Sequence, residues 1–151
     1  MLEFPYMHLP GGISRPIIAV AIEGPSGRRL VDGLLDTGSD RTIFPQREAK
    51  AIGIQLPAQV DGSIKTAGGV AIAYRLAEVI LELRTIGSVV RWKTPVAFAD
   101  DALSLVHFGT RGFLQYFDAT FKGPEGKVLL DASPSLPSAG PESRTSGLRP
   151  G

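Results

Sequence analysis

The sequence predicts an all-β fold on three observations. Short apolar runs rich in β-branched residues recur along the chain, and clusters of glycine, proline and serine separate them, which is the pattern of strands and turns. Glycine (18) and proline (12) together make up about a fifth of the 151 residues, against an average share of about 12%. The hydrophobic content of 43% and the chain length fit one globular domain with a substantial core.

The composition also bears on partners and location. The 16 basic residues nearly balance the 15 acidic ones, so we expect neither a nucleic-acid partner nor a membrane partner. The absence of cysteine excludes disulfide bonds and thiolate metal sites. No stretch reaches the roughly 18 apolar residues of a membrane span, and the N-terminus lacks the basic and apolar regions of a signal peptide. We therefore expect a soluble, cytoplasmic protein.

The first half of the chain predicts a hairpin, a third strand and a helix. Residues 1–13 form a lead-in with turns at its prolines and glycines. Residues 17–23 and 28–35 are the two strands of the hairpin, because a Gly-Pro-Ser-Gly turn joins them. Residues 42–44 form another short strand. Residues 46–52 form a brief helix, since proline precedes them and glycine follows.

A second hairpin is predicted with a tip made of glycine. Its arms, residues 63–66 and 70–74, flank the tip Ala67-Gly68-Gly69. These small residues let the backbone bend and let its amides approach a ligand. An ordinary surface hairpin is the alternative interpretation.

The remaining strands are predicted at residues 78–84, 89–98, 103–108, 119–121 and 127–130. A short helix follows the third of these, with Phe113, Leu114 and Phe117 on one face. From Ser133 onward serine, proline and glycine dominate the sequence. We therefore expect residues 14–132 to be the folded domain and residues 133–151 to be a disordered tail.

The most distinctive stretch is Leu34-Leu35-Asp36-Thr37-Gly38-Ser39-Asp40, where an apolar strand leads into a carboxylate. Removing a carboxylate from water is costly unless hydrogen-bond donors converge on it. The Thr37 and Ser39 hydroxyls and the unobstructed Gly38 amide can supply such donors. The pattern indicates that Asp36 is held in place for chemistry. Taken alone, an Asx-turn that closes the strand explains the same residues.

Other polar residues predict no second site. Asp100 and Asp101 lack histidine or further carboxylates at ligand spacing, so a loop or the N-terminal charge of a turn is the simpler interpretation. His8 and His107 are far apart in sequence and belong to no catalytic motif. Trp92 alternates with charged residues and is predicted to pack in the core or on a sheet face, in preference to forming a cofactor platform.

Three segments, in this order and at this spacing, resemble the retroviral-type (retropepsin-like) aspartic proteases of the single-lobe kind found in cellular genomes. They are the Leu-Leu-Asp-Thr-Gly-Ser stretch at 34–39, the Gly68-Gly69 hairpin, and the apolar-glycine segment at 106–114. The resemblance covers roughly residues 14–131. It implies a closed acid-protease β-barrel with one short C-terminal helix in a single lobe.

The resemblance also implies an aspartic endopeptidase that works as a homodimer. Aspartic proteolysis needs two carboxylates, and this chain has one Asp-Thr-Gly, so Asp36 of two copies would meet on a two-fold axis. In the family, Thr37 reaches the partner's loop, Ser39 hydrogen-bonds the acid, and Gly38 completes the turn. The nucleophile is water, and no metal or other cofactor takes part.

By the same resemblance, an extended peptide or protein substrate binds beneath the hairpin. Contacts to it are expected from the acid loop, the following strand and the hairpin tip: Asp40, Ile43, Thr66, Ala67, Gly68 and Gly69.

The chain departs from the family pattern at the segment that braces the acid loop. The family has two aliphatic residues before the glycine and an arginine directly after it. Here a His-Phe pair precedes Gly109, and a threonine stands between that glycine and Arg111. Bracing is expected from Gly109 and Arg111, with Arg41 as the alternative to Arg111.

Three functional hypotheses follow. We favour a homodimeric aspartic endopeptidase. The departure at the bracing segment motivates a second hypothesis, a catalytically silent dimer that binds peptides or serves assembly. The third is a structural β-barrel without a ligand, which requires the Asp-Thr-Gly-Ser turn to be a coincidence.

Overall fold

The computed structural model describes residues 1–66, 68–101 and 103–140. The strands are β1 (Leu2–Pro5), β2 (Met7–Leu9), β3 (Ile13–Arg15), β4 (Ile17–Gly24), β5 (Gly27–Leu35), β6 (Ile43–Pro45), β7 (Gly62–Lys65), β8 (Ala71–Thr85), β9 (Ser88–Ala99), β10 (Val106–Phe108), β11 (Phe117–Lys122) and β12 (Lys127–Ala132). Within the described ranges the helical elements are α1 (Gln46–Ala51) and the 3₁₀ turns Leu114–Tyr116 and Gly123–Glu125. The all-β prediction is confirmed.

Six strands close into a barrel in the order β4-β5-β10-β6-β9-β8, because β8 pairs back onto β4. Strand β7 extends the sheet beyond β8. Strand β10 is parallel to β5 and antiparallel to β6, and β6 is parallel to β9. Closure removes the unpaired edges that an open sheet exposes. The predicted closed barrel in a single lobe is confirmed.

The first hairpin forms as predicted and leads directly to the acid. Strands β4 and β5 pair from Ile17 opposite Leu34 to Gly24 opposite Gly27. The β-branched residues of β4 supply fully buried side chains, among them Val20 and Ile22. This pairing fixes the register of β5 and therefore the position at which the chain leaves the sheet.

Strand β8 differs from the prediction. Residues 71–74 and 78–84, which belong to two separately predicted strands, lie in the single strand β8 of 15 residues. No glycine or proline interrupts residues 70–85, so nothing ends the strand between them. Strand β8 pairs with β9 from Tyr74 opposite Ala99 to Thr85 opposite Ser88. The second hairpin is therefore continuous with a long arm of the barrel.

A three-stranded sheet, β1-β12-β11, packs against the barrel. Strand β1 lies in the segment predicted as a lead-in, and its Leu2 and Phe4 join the core cluster with Val128 and Leu130. A four-residue strand carries too short a pattern to be recognised from sequence. Of the predicted tail, residues 133–140 are described, and residues 141–151 lie outside the described residues.

The centre of the core is aromatic. Trp92 is fully buried, as predicted, and its indole Nε1 donates a hydrogen bond to the Gly112 carbonyl at 2.9 Å. Its ring meets those of Phe113 and Phe117 edge-on, at centroid distances of 5.3 and 5.2 Å. Phe113 in turn stacks on Phe108 at 4.7 Å. These contacts pack the end of β10 and the turn that follows it, residues 108–113, against the core.

Helix α1 begins directly after Pro45, as the sequence predicts. The Asp101 carboxylate accepts a hydrogen bond from the Arg47 backbone N–H at 2.8 Å. A carboxylate at this end of a helix satisfies a free amide and complements the helix dipole. Asp101 therefore supplies N-terminal charge to a helix 54 residues away in sequence, whereas the prediction gave a loop or the N-terminal charge of a turn.

The predicted C-terminal helix is a single 3₁₀ turn, Leu114–Tyr116. Phe117, placed in that helix from sequence, already belongs to β11 and pairs with Ala132. The spacing of the aromatic residues arises because Phe113 and Phe117 both reach the Trp92 ring. Packing against that ring explains the pattern better than helical periodicity does.

We expect Trp92→Ala to lower the free energy of unfolding by about 3–5 kcal/mol, the usual cost of removing a buried aromatic side chain. The substitution also leaves the Gly112 carbonyl without its donor. Ile86→Ala is the control, because Ile86 is fully exposed and should change stability by less than about 0.5 kcal/mol. Chemical denaturation measures both. Equal stabilities for the two variants would contradict this description of the core.

Candidate active site

Asp36 lies immediately after β5, where the chain turns out of the barrel. Its backbone N–H donates to the Phe108 carbonyl at 3.1 Å, which continues the parallel pairing of β5 with β10. Its own carbonyl accepts from the Ser39 N–H at 3.2 Å and closes the turn. Pairing on one side and a turn on the other thus fix the Asp36 backbone.

The Asp36 carboxylate has a partner for each oxygen. The Gly38 N–H donates to Oδ1 at 2.9 Å, as the sequence predicted for this amide. His107 Nδ1 lies 3.1 Å from Oδ2. The side chain of Asp36 is 32% exposed and that of His107 is 25% exposed. The carboxylate is therefore held in a fixed orientation and still faces solvent, as a reacting group must.

Sequence reasoning did not find His107. Its contact with Asp36 depends on the parallel pairing of β10 with β5, in which His107 lies opposite Leu34. The two residues are 71 positions apart. The signal in the sequence was a polar residue at a position where the family has an aliphatic one. Side chains alternate along a strand, so this residue projects to the same side as the acid when Val106 and Phe108 are buried.

The other residues of the Asp36 turn differ in their hydrogen bonds and in their exposure. The Ser39 hydroxyl donates to the Arg41 carbonyl at 2.8 Å, so the expected bond from Ser39 to Asp36 is wrong for this structure. The Ser39 N–H is used to close the turn, and its hydroxyl is directed along the outgoing chain. The side chain of Thr37 is exposed, and so is Gly38.

The acid loop is braced by the glycine segment through backbone atoms. The Thr110 N–H donates to the Ser39 carbonyl, and the Arg111 N–H donates to the Asp40 carbonyl, both at 2.9 Å. Gly109 makes this approach possible, because a Cβ there would lie 2.5 Å from the Ser39 oxygen and closer still to the Arg41 oxygen. Arg111, with Arg41 as the alternative, was expected to brace the acid loop with its side chain. Within the described residues, the guanidinium groups of Arg41 and Arg111 form no hydrogen bond to this loop.

The glycine-tipped hairpin rises from the same side of the barrel. Strands β7 and β8 pair from Gly62 opposite Tyr74 to Lys65 opposite Ala71. The Gly69 N–H donates to the Thr66 carbonyl at 2.9 Å, and Gly69 has a φ of 79°, which favours glycine. Ala67 lies outside the described residues.

A small apolar cluster connects the hairpin to the acid loop. Its buried members are Ile43, Tyr74, Ala97 and Ala99, with Ile64, Ile72, Leu76 and Leu103 packed against them. Ile43 pairs with His107 across β6 and β10. The structure therefore brings Ile43, the hairpin arm and Asp36 to one region, while the tip glycines Gly68 and Gly69 are exposed.

The described residues contain no group of three or more histidines and acids positioned to hold a metal ion. Among these residues there is also no helix with the length and apolar character needed to cross a membrane. What the site offers chemically is one oriented carboxylate, one imidazole and a ring of backbone hydrogen bonds.

A family model described as aspartyl protease matches residues 18–114, more than half of the chain. The chain belongs to the aspartyl protease family. The match includes both hairpins, the Asp36 turn and the glycine segment. No match was found among curated proteins.

A solved structure has the same fold. A retropepsin-like aspartic protease from Rickettsia conorii aligns with a TM-score of 0.53 and 15% identity, over 85% of this chain and 99% of that one. On this alignment the barrel is a retropepsin-like fold. The EIAV protease, solved in complex with the inhibitor HBY-793, aligns with a TM-score of 0.48 and 21% identity, over 63% of this chain and 81% of that one.

We expect Gly109→Ala to disturb the acid loop, because its Cβ would overlap the Arg41 and Ser39 carbonyls. Backbone atoms cannot yield as a flexible side chain can, so a loss of about 2–3 kcal/mol in the free energy of unfolding is expected. Gly123→Ala is the control, since a Cβ there meets nothing within 4 Å. Thermal unfolding measures both, and a fully stable Gly109→Ala protein would contradict the bracing arrangement.

His107 can be tested by replacing its imidazole. In His107→Leu the Asp36 carboxylate loses its partner at Oδ2, and the Gly38 N–H alone then orients it. We expect kcat/KM to fall about tenfold, the size of one lost hydrogen bond. His107→Asn, which can still form a hydrogen bond, should lose less. Equal kcat/KM for the wild type and both variants would show that the contact has no catalytic consequence.

Proposed function

We propose that this protein is an aspartic endopeptidase that hydrolyses peptide bonds with a water activated between two Asp36 carboxylates of a homodimer. The observation that carries the proposal is the carboxylate of Asp36, oriented by Gly38 and His107 at the mouth of a retropepsin-like barrel. Membership of the aspartyl protease family supports the reaction class.

The need for a second copy follows from the chemistry. One carboxylate must act as the base toward water while another acts as the acid toward the scissile carbonyl and the leaving amine. The chain has one Asp-Thr-Gly-Ser turn, and it lies on a surface open to solvent. A two-fold axis beside Asp36 supplies the second acid with the same geometry as the first.

The two carboxylates then share one proton, since like charges this close cannot both ionise. In the first step the ionised carboxylate takes a proton from water as the water oxygen attacks the peptide carbon, and the protonated carboxyl gives its proton to the carbonyl oxygen. In the second step the carboxyl that took the proton from water gives it to the amine nitrogen, the other carboxylate takes a proton from a hydroxyl of the tetrahedral intermediate, and the C–N bond breaks. Thr37 is exposed at the turn, and its proposed role is to reach the partner's loop.

The hairpin formed by β7 and the start of β8 is the proposed cover for substrate. Its exposed glycine tip can move, and an extended peptide can pair with backbone groups beneath it. Side-chain pockets are proposed to involve Asp40 and Ile43 on one side and Thr66, Gly68 and Gly69 on the other.

A second candidate is a catalytically silent dimer with the same fold that grips extended peptides. One observation favours it: His107 engages Oδ2 of Asp36 at 3.1 Å, the oxygen not already bonded to Gly38. In this alternative the imidazole keeps the carboxylate from the water. The endopeptidase is preferred because Asp36 keeps an exposed surface.

We expect Asp36→Asn to abolish cleavage of a broad peptide library, because an amide cannot accept the proton from water. The loss should be at least about 10³-fold, with fold and dimer mass retained. The matched control is Asp32→Asn, since Asp32 is an exposed acid on β5, the strand that leads to Asp36. Its activity should equal that of the wild type.

Two results would contradict the proposal. One is undiminished cleavage by the Asp36→Asn protein. The other is absence of cleavage by the wild type across acidic and neutral pH while it binds library peptides, which would favour the silent dimer.

A further inference from the structure

We propose that the cavity beside the acid loop binds a carboxylate of the substrate, so that the enzyme prefers peptides with an acidic side chain near the scissile bond. This inference rests on the proposed function. The cavity has a volume of about 420 Å³ and is lined by Asp40, Arg41, Thr110 and Arg111. No residue of this lining takes part in the proton transfers described above.

The cavity adjoins the acid loop, and one of its residues contacts the hairpin. Asp40 and Arg41 continue directly from the turn that begins at Asp36, and Thr110 donates its N–H to the Ser39 carbonyl within that turn. Arg41 contacts the hairpin, because its guanidinium carbon is 5.3 Å from the centre of the Tyr74 ring. The lining therefore belongs to the acid loop and to residues 110–111, and Arg41 connects it to the arm that carries the proposed cover.

The charges of the lining are unbalanced. Within the described residues, neither Arg41 nor Arg111 has a carboxylate within 4 Å or a side-chain hydrogen bond, although Asp40 lines the same cavity. This sets them apart from Arg28, Arg29 and Arg47, each of which has an acidic partner in the structure. Two guanidinium groups and one carboxylate leave a net charge of +1 on the lining, which an anionic ligand would neutralise.

The position of Arg41 is set in advance of binding. Its guanidinium rests over the buried ring of Tyr74, a contact that holds the planar group without using its N–H donors. Its backbone is fixed by the parallel bridge to Arg111. A guanidinium that is already ordered and has free donors forms paired hydrogen bonds to a carboxylate with little further loss of entropy.

The fork geometry of arginine favours a carboxylate over a neutral amide of the same shape. We therefore expect kcat/KM to be about tenfold higher for a peptide with glutamate at the favoured position than for its glutamine counterpart. The difference should appear mainly in KM, because the contact is equally present before and during the reaction.

The test uses the full-length dimer and sets of peptides that differ only by glutamate or glutamine at each position around the cleavage site. Each peptide is made with a free and with an amidated C-terminus, which separates a side-chain carboxylate from a chain-end carboxylate. The variants are Arg41→Ala, Arg111→Ala and Arg41→Glu. Arg15→Ala is the control, an exposed arginine of β3 away from the cavity.

In the wild type and in Arg15→Ala, the glutamate peptides should be favoured about tenfold. In Arg41→Ala and Arg111→Ala this preference should fall to about threefold or less. Arg41→Glu should favour lysine at the same position. If peptides with a free C-terminus are preferred over amidated ones and glutamate makes no difference, the cavity still binds a carboxylate. The carboxylate it binds is then that of the chain end.

Three results would overturn the proposal. They are equal rates for glutamate and glutamine peptides in the wild type, an unchanged glutamate preference in both arginine variants, and dissociation of the dimer in those variants. The last result would mean that the arginines bind the partner subunit instead of substrate.

A binding measurement separates this proposal from the proposed function. Dissociation constants for the glutamate and glutamine peptides are measured with the Asp36→Asn protein, in which no cleavage is expected. Absence of proteolysis in the wild type would contradict the endopeptidase. Absence of a glutamate preference in this binding assay would contradict the cavity assignment alone.

Discussion

The insertion of β10 between β5 and β6 is the arrangement on which the site depends. The Phe108 carbonyl at the end of β10 accepts a hydrogen bond from the Asp36 N–H. The next residue, Gly109, has no Cβ and can therefore pack directly against the carbonyls of the acid loop. The backbone bonds from Thr110 and Arg111 then fasten that loop. The acid is held by strand pairing at the point where it leaves the barrel.

Backbone hydrogen bonds join the acid loop to residues 110–111 in this chain, at the place where the resemblance led us to expect an arginine side chain. In the expected pattern a guanidinium would hold the acid loop from the side. In this chain three backbone bonds join residues 39–42 to residues 110–111, and Phe113 anchors the outgoing segment against Phe108 and Trp92. The arginines at 41 and 111 are thereby left with donors to use elsewhere, and these are the groups that face the cavity.

The elements that could be predicted from sequence are those set by local patterns. The 17–35 hairpin and the start of α1 rest on turn residues and short apolar runs. The hydrogen bond from the Gly38 N–H to the Asp36 carboxylate could be predicted because the two residues are close neighbours in the sequence.

What was missed depends on contacts between distant segments. The approach of His107 to Asp36 needs the parallel pairing of β10, and the role of β1 needs its pairing with β12. The two predicted strands that merge into β8 show a further limit, since an uninterrupted run of strand-forming residues does not reveal whether it bends into two segments. The predicted helix at Phe113 followed aromatic spacing that packing around Trp92 produces instead.

The proposed active centre needs two copies of Asp36. Specific activity and molecular mass, measured on the same samples over a dilution series, test this requirement most directly. We expect activity per molecule to fall as the dimer dissociates, with the same midpoint in both measurements. Constant specific activity in samples that are wholly monomeric would contradict it.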